Sequence, residues 1–164
     1  MERYRGRRKK GYRRMDDKYL QNLVNDTVIR ITKKMTGVSM QAVEAPANRS
    51  RHNPVLKILI TDGGRGQVTA LYSTSNRAFH KIADGMKGRP VEDEAEMVVY
   101  IKEYFNVLCG NIISRINREK KASFRFGVPS YHEQGFEKSE NPFIEMVYDM
   151  DGGRIRISWI GAGF

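Results

Sequence analysis

The sequence predicts a mixed α/β domain in which a single, largely antiparallel sheet is packed with helices. Apolar residues recur at three- and four-residue steps in three segments, which is the spacing of one face of a helix. Two pairs of apolar runs flank the glycine turns at 62–64 and 151–153, the composition of β-hairpins. The 164 residues are 40% hydrophobic and 29% charged, as expected of one soluble globular domain.

The first predicted helix runs from about Asp16 to Met35. Aspartates at its start suit the unpaired N–H groups there, and Gly37 suits its end. We expect a strand near Val38–Val43, followed by a polar, mobile loop at 44–54 that is rich in turn-forming residues.

The stretch "VLKILITDGGRGQVTALYST" predicts a hairpin. Its glycine spacing matches neither the Walker nor the dinucleotide-binding pattern, so a phosphate-binding loop is not expected. The stretch "STSNRAFHKIADGMKG" then predicts a short helix capped by Thr74 or Ser75.

Pro90 and the acidic residues that follow it open a long helix that we expect to end at about Arg118. Three strands are predicted after this helix, at about 122–130, 143–149 and 154–160. The last two alternate apolar and polar residues and should form a second hairpin.

Residues 1–14 form a strongly basic segment, "MERYRGRRKKGYRR", within a chain of net charge +10. We expect a disordered tail, because the segment lacks apolar residues around which to fold, and a domain at 15–164. The alternative is a nucleic-acid-binding protein that acts through this tail, or binding of the tail to an anionic membrane surface. We expect this chain to have neither nucleic acid nor a membrane as its partner.

The remaining composition excludes several classes of protein. No apolar run approaches the roughly 20 residues of a membrane span, and the N-terminus lacks the apolar centre of a secretory signal. Cys109 has no partner for an internal disulfide, so we expect a cytoplasmic protein. Cys109 and the widely separated histidines lack metal-ligand spacing, so no metal site is expected.

The long helix places Glu103 and Asn106 about 60° apart and roughly 170° from the centre of its apolar stripe. Val99, Gly110 and Ile113 are expected on the same outer side, with the glycine allowing another molecule to approach closely. Helix geometry alone leaves two interpretations open: an ordinary solvated face, or an interaction site in which a few polar groups lie among apolar residues. The predicted core stripe comprises Met97, Ile101, Tyr104, Leu108 and Ile112.

The segment "EYFNVLCGN", 103–111, resembles the Glu-x-x-Asn-x-x-x-Gly-Asn helix motif of the CheX-type chemotaxis phosphatases, relatives of CheC and FliY. The stretches "MDDKYLQNLVNDTVIRITKKMTGV" and "ILITDGGRGQVTALYSTSNRAFHKIADGMKG" resemble that family's opening helix, hairpin and second helix in the same order. The resemblance covers nearly all of 15–164 and implies a CheC-like fold. The sequence departs from the pattern at Lys102, Tyr104 and Phe105, and the last of these, at the edge of the stripe, is expected to affect docking.

The resemblance implies an enzyme that hydrolyses the aspartyl phosphate of a phosphorylated CheY-like response regulator in chemotaxis. In that interpretation Asn106 orients the attacking water and Glu103 engages the regulator's active-site lysine. The expected partner-binding residues are Val99, Lys102, Gly110 and Ile113. Mg²⁺ is expected on the regulator and no cofactor on this chain. The family also implies a homodimer, and a non-catalytic scaffold or regulator-binding module is the other interpretation.

Overall fold

The computed structural model describes residues 15–44, 53–63, 66–135, 141–161 and 163. The basic tail at 1–14 lies outside the described residues, as does most of the polar loop that we expected to be mobile at 44–54. Within the described part no helix is both long and apolar enough to cross a membrane.

Three helices occur among the described residues, close to their predicted positions: α1 at Asp17–Thr36, α2 at Asn76–Lys87 and α3 at Glu94–Lys120. Each helix begins at an N-cap residue whose side chain accepts a hydrogen bond from a backbone N–H of the first turn. The N-cap residues of α1, α2 and α3 are Asp16, Ser75 and Asp93. Ser75 rather than Thr74 caps α2, because the Thr74 hydroxyl donates to the Arg154 carbonyl at 2.7 Å.

The sheet contains the seven strands found in the described residues, and every pairing in it is antiparallel. The spatial order is β1-β6-β7-β3-β2-β4, and β5 also pairs with β2. The predicted mixed α/β architecture with one antiparallel sheet is therefore confirmed. The strands are β1 Met40–Val43, β2 Val55–Thr61, β3 Gln67–Ser73, β4 Arg125–Phe126, β5 Ser130–His132, β6 Ile144–Met150 and β7 Gly153–Gly161.

The prediction of a single strand at 122–130 is wrong, because two short strands, β4 and β5, take its place. Both pair with β2, and residues 127–129 separate them. Gly127 still donates its N–H to the Leu59 carbonyl at 2.9 Å, but Pro129 has no N–H to donate and interrupts the ladder.

One core lies between the helices and one face of the sheet. Alternate residues of the central strands point into it, as the pleat of a strand requires. The opposite face of the sheet carries polar residues, including the ion pair between Glu145 and Arg156, together with the buried side chains of Leu71 and Val147. The buried residues of α3 extend from Met97 to Ile116, so most of the helix packs into this core. The strand residues in the core include Leu56, Ile58, Ile60, Val68, Ala70, Tyr72, Ile155, Ile157 and Trp159.

Candidate functional site

The core stripe of α3 fixes which side of the helix faces outward. Each of the five residues predicted for the stripe is at most 2% exposed. Glu103, on the opposite side, is exposed, and Asn106 is half-buried. The predicted orientation of α3 is therefore correct, and it brings the two polar side chains onto one turn of the outer surface.

One turn of α3 carries three polar side chains that have no partner in the described part of the chain. Among the residues that the structure describes, Lys102, Glu103 and Asn106 make no side-chain hydrogen bond or ion pair. The Asn106 amide is not among the side-chain groups that are both fully buried and without a hydrogen bond, so it reaches solvent. These groups are free to bind something that approaches the helix.

Several polar side chains elsewhere on α3 are occupied. Arg115 binds Asp26 at 2.8 Å and Glu119 at 2.9 Å. Asn111 Nδ2 donates to the Val107 carbonyl at 2.9 Å, and Asn117 holds both backbone groups of Phe124. The turn at 102–106 differs from Asn111, Arg115 and Asn117 in this respect.

The segment containing β4 and β5 runs along one flank of α3. The Phe126 ring lies beside Gly110, where a Cβ on the glycine would be 3.3 Å from Phe126 Cζ. Near the N-terminal end of α3, Tyr131 lies close to Glu94. Burial and then the charge of Glu94 raise the pKa of the Tyr131 phenol to about 12. The segment is therefore antiparallel to α3 between these two contacts.

Asn106 lies on the flank that faces this segment. It precedes Gly110 by four residues, so the two occupy the same side of the helix one turn apart. Glu103 precedes Gly110 by seven residues and lies on the same side two turns away; Asn106 is half-buried and Glu103 is exposed. Two of the three exposed large hydrophobic residues among those described, Val99 at 67% and Val128 at 84%, also lie on α3 and on this segment.

Three expectations about the outer face need correction. Ile113 is 2% exposed and belongs to the core, because β4 and the residues before it cover the C-terminal half of α3. Gly110 does admit a close approach, but the group that approaches is Phe126 of the same chain. Phe105 is also 2% exposed, with its ring centroid 5.7 Å from that of Tyr72, and is not available for docking. Val99 is exposed and Lys102 half-buried, so both remain at the surface.

Phe126 and Val128 are residues beside the site that we did not identify from the sequence. Their segment was predicted as one regular strand, which gave no reason for it to follow α3. Gly127 and Pro129, between β4 and β5, were the available signal that the strand is interrupted.

Other candidate groups lie away from this surface. Burial raises the pKa of the Cys109 thiol, so it stays protonated and unreactive at neutral pH. No cluster of three or more His, Cys, Asp or Glu suited to a metal ion occurs in the described ranges. An open cleft of about 750 Å³ lies between the ends of α1 and α2 and the β6–β7 turn, where Lys81 pairs with Asp151.

Comparison with known proteins identifies the relatives of the chain. Residues 57–143, which include Glu103 and Asn106, match the family model described as "Chemotaxis phosphatase CheX". No curated protein matches the sequence.

Solved structures resemble the whole described domain. A chemotaxis protein CheX from Desulfovibrio desulfuricans aligns with TM-score 0.72 and 11% identity over 87% of this chain and 99% of that one. A chemotaxis protein CheX from Vibrio vulnificus aligns with TM-score 0.69 and 17% identity over 89% and 99%. The CheX–CheY–BeF₃–Mg²⁺ complex from Borrelia burgdorferi gives TM-score 0.64 and 13% identity over 85% and 96%. These likenesses establish that the fold is shared.

Proposed function

We propose that this chain, which belongs to the CheX family of chemotaxis phosphatases, hydrolyses the aspartyl phosphate of a CheY-like response regulator. The family model matches more than half of the chain's length. The observation that carries the proposal is the unpaired turn of α3. Glu103 and Asn106 are three residues apart, point away from the core and have no partner among the described residues. They are available to a protein that docks against the helix.

Asn106 is proposed to orient the attacking water. Its amide oxygen can accept a hydrogen bond from that water, while its NH₂ group can donate to a phosphoryl oxygen. The water oxygen bonds to phosphorus, the bond from phosphorus to the aspartyl oxygen breaks, and the carboxylate leaves with its electron pair. Since an acyl phosphate is already activated, positioning is the main contribution that this chain has to make. A carboxylate in place of the amide would repel the phosphoryl oxygens.

Glu103 is proposed to bind the active-site lysine of the regulator through a charge-assisted hydrogen bond. Its exposure suits this role, because the carboxylate can enter the partner's site without losing a bond to any of the described residues. Val99 and Lys102 are proposed to contact the regulator around that bond.

The regulator is proposed to hold the Mg²⁺, and in support of this the solved CheX complex that contains Mg²⁺ also contains CheY. A homodimer and a cytoplasmic location are part of the same proposal. Dimerisation is tested by measuring molar mass with light scattering over a range of protein concentrations.

The test of the proposal compares Asn106→Ala with Asn22→Ala. Asn22 is an exposed asparagine on α1 and provides a control for the general effect of the substitution on a helix surface. We expect Asn106→Ala to lose about 100-fold in turnover, as a misplaced reactant does, with regulator affinity largely kept. Asn22→Ala should behave as wild type. If Asn106→Ala kept wild-type turnover, Asn106 would have no part in the chemistry, and a site that binds the regulator without turning it over would replace this proposal.

A further inference from the structure

The two residues between Glu103 and Asn106 are both held by one tyrosine of the sheet. Tyr72 on β3 contacts the Tyr104 ring edge-on, with centroids 5.6 Å apart and planes at 88°. It also contacts Phe105 at 5.7 Å and 64°. Edge-on aromatic pairs have a preferred geometry, so they restrain orientation as well as fill volume.

The Tyr104 hydroxyl connects α3 to two other elements. It lies 2.5 Å from the Thr32 hydroxyl on α1 and 3.2 Å from the Tyr72 hydroxyl on β3. The three residues are 0% exposed. A buried hydroxyl that loses its hydrogen-bond partner is left unsatisfied away from water, which is unfavourable, so this arrangement resists displacement of any one group.

Helix α2 completes the cluster. Phe79 stacks on Tyr72 with centroids 6.0 Å apart and planes at 30°. Tyr72 is thus fixed from the side of α2 as well as from the sheet, and α1, α2, α3 and β3 meet behind the turn that carries Glu103 and Asn106.

We infer that Tyr104, together with Thr32 and Tyr72, is a positioning residue that sets the rotation of α3 about its own axis. A rotation of only about 20° at a radius of about 5 Å would move a surface side chain by about 2 Å. Glu103 and Asn106 directly flank the restrained pair, so they follow any such rotation. This inference rests on the proposed function, in which Asn106 must align a water with phosphorus.

The restraint acts through the hydroxyl groups, and this allows conservative tests. Thr32→Val removes the hydroxyl and keeps the shape, whereas Thr32→Ser keeps the hydroxyl and removes a methyl group. Tyr104→Phe removes only the other hydroxyl of the pair. Tyr148→Phe is the matched control, because Tyr148 is also 0% exposed, but within the described part of the chain its hydroxyl bonds to the Met146 sulfur at 3.5 Å and not to Thr32, Tyr72 or Tyr104.

The experiment measures kcat and KM for phosphate loss from a phosphorylated regulator, together with the thermal midpoint of each variant. We expect Thr32→Val and Tyr104→Phe to lower kcat by about tenfold, since a misplacement of about 1 Å in a positioning site can cost on the order of 100-fold. KM should change little, because docking involves more of the surface than one turn. Thr32→Ser and Tyr148→Phe should keep the wild-type kcat, even where their thermal midpoints fall.

Two results would overturn the inference in distinguishable ways. If the wild type is active and Thr32→Val matches Thr32→Ser in kcat, the hydroxyl network does not position the site, and the proposed function is untouched. The same holds if Tyr104→Phe, folded at the assay temperature, keeps full kcat. If the wild type accelerates phosphate loss from no regulator, the proposed function fails and this inference fails with it.

Discussion

The ring of Phe126 packs against Gly110, so that a Cβ at this glycine would be 3.3 Å from Phe126 Cζ. We expect Gly110→Ala to change the unfolding free energy by less than about 1 kcal/mol, because alanine's helix propensity offsets a shift of the flexible ring. Turnover should fall, because Phe126 and its segment flank Asn106. Urea unfolding and the phosphatase assay measure the two effects.

Gly85→Ala provides the contrast on α2. A Cβ there would be 2.2 Å from the Thr36 carbonyl oxygen, a backbone atom that cannot swing aside. We expect a loss of more than about 2 kcal/mol of stability, in the range of strained core substitutions. Equal stabilities of the Gly85→Ala and Gly110→Ala proteins would show that the two close approaches differ less than these contacts indicate.

The corrected placement of Ile113 leads to a second prediction. Ile113→Ala should cost about 2–5 kcal/mol, because it removes a buried side chain and leaves a cavity. Val99→Ala should change stability by less than about 0.5 kcal/mol, as is usual for an exposed position. Urea unfolding of both variants measures the difference, and an Ile113→Ala protein as stable as Val99→Ala would contradict the burial of Ile113.

Alkaline pH should destabilise the protein. Burial raises the pKa of Tyr104 to about 12 and raises the pKa of Tyr72 and Tyr148 as well. In the unfolded chain these phenols titrate near pH 10, so above that pH the unfolded state loses protons that the folded state keeps. Their contribution to stability is fully present below about pH 10 and is lost as the pH rises toward 12.

Urea midpoints between pH 8 and pH 11 measure this loss, and Tyr148→Phe should make the decline shallower because one buried phenol is removed. A midpoint that stayed constant over this range would contradict the assignment of raised pKa values to the buried tyrosines.

The basic tail yields a prediction that separates it from the domain. Residues 1–14 fall outside the segment that matches the family, so their deletion should leave turnover unchanged. Any binding of this chain to DNA should weaken steeply between 50 and 200 mM salt, as phosphate contacts do, and disappear with the deletion. DNA binding that survived the deletion would place a nucleic-acid site in the domain itself.

Much of the fold was predictable because local signals agree with the tertiary structure. Gly37 ends α1 with φ at +73°, a conformation that glycine adopts readily, and Asp93 caps α3 as the acidic cluster before the helix suggested. The outward orientation of Glu103 followed from the period of the apolar stripe alone.

The burial of Ile113 and Phe105 was not predictable from α3 by itself. Both lie on sides of the helix that only tertiary neighbours cover, β4 and its preceding residues for one and Tyr72 for the other. A helical period locates the centre of the buried face but not its width, which depends on elements distant in sequence.

The measurement that tests the central claim most directly is the rate of phosphate loss from a phosphorylated CheY-like regulator, with this protein added at a small fraction of the regulator concentration. We predict many turnovers per molecule of wild type. Glu103→Ala and Asn106→Ala should each remove the acceleration, whereas Asn22→Ala should keep it. No acceleration by the wild type, across the regulators of its own cell, would contradict the assignment of this turn of α3 as a phosphatase site.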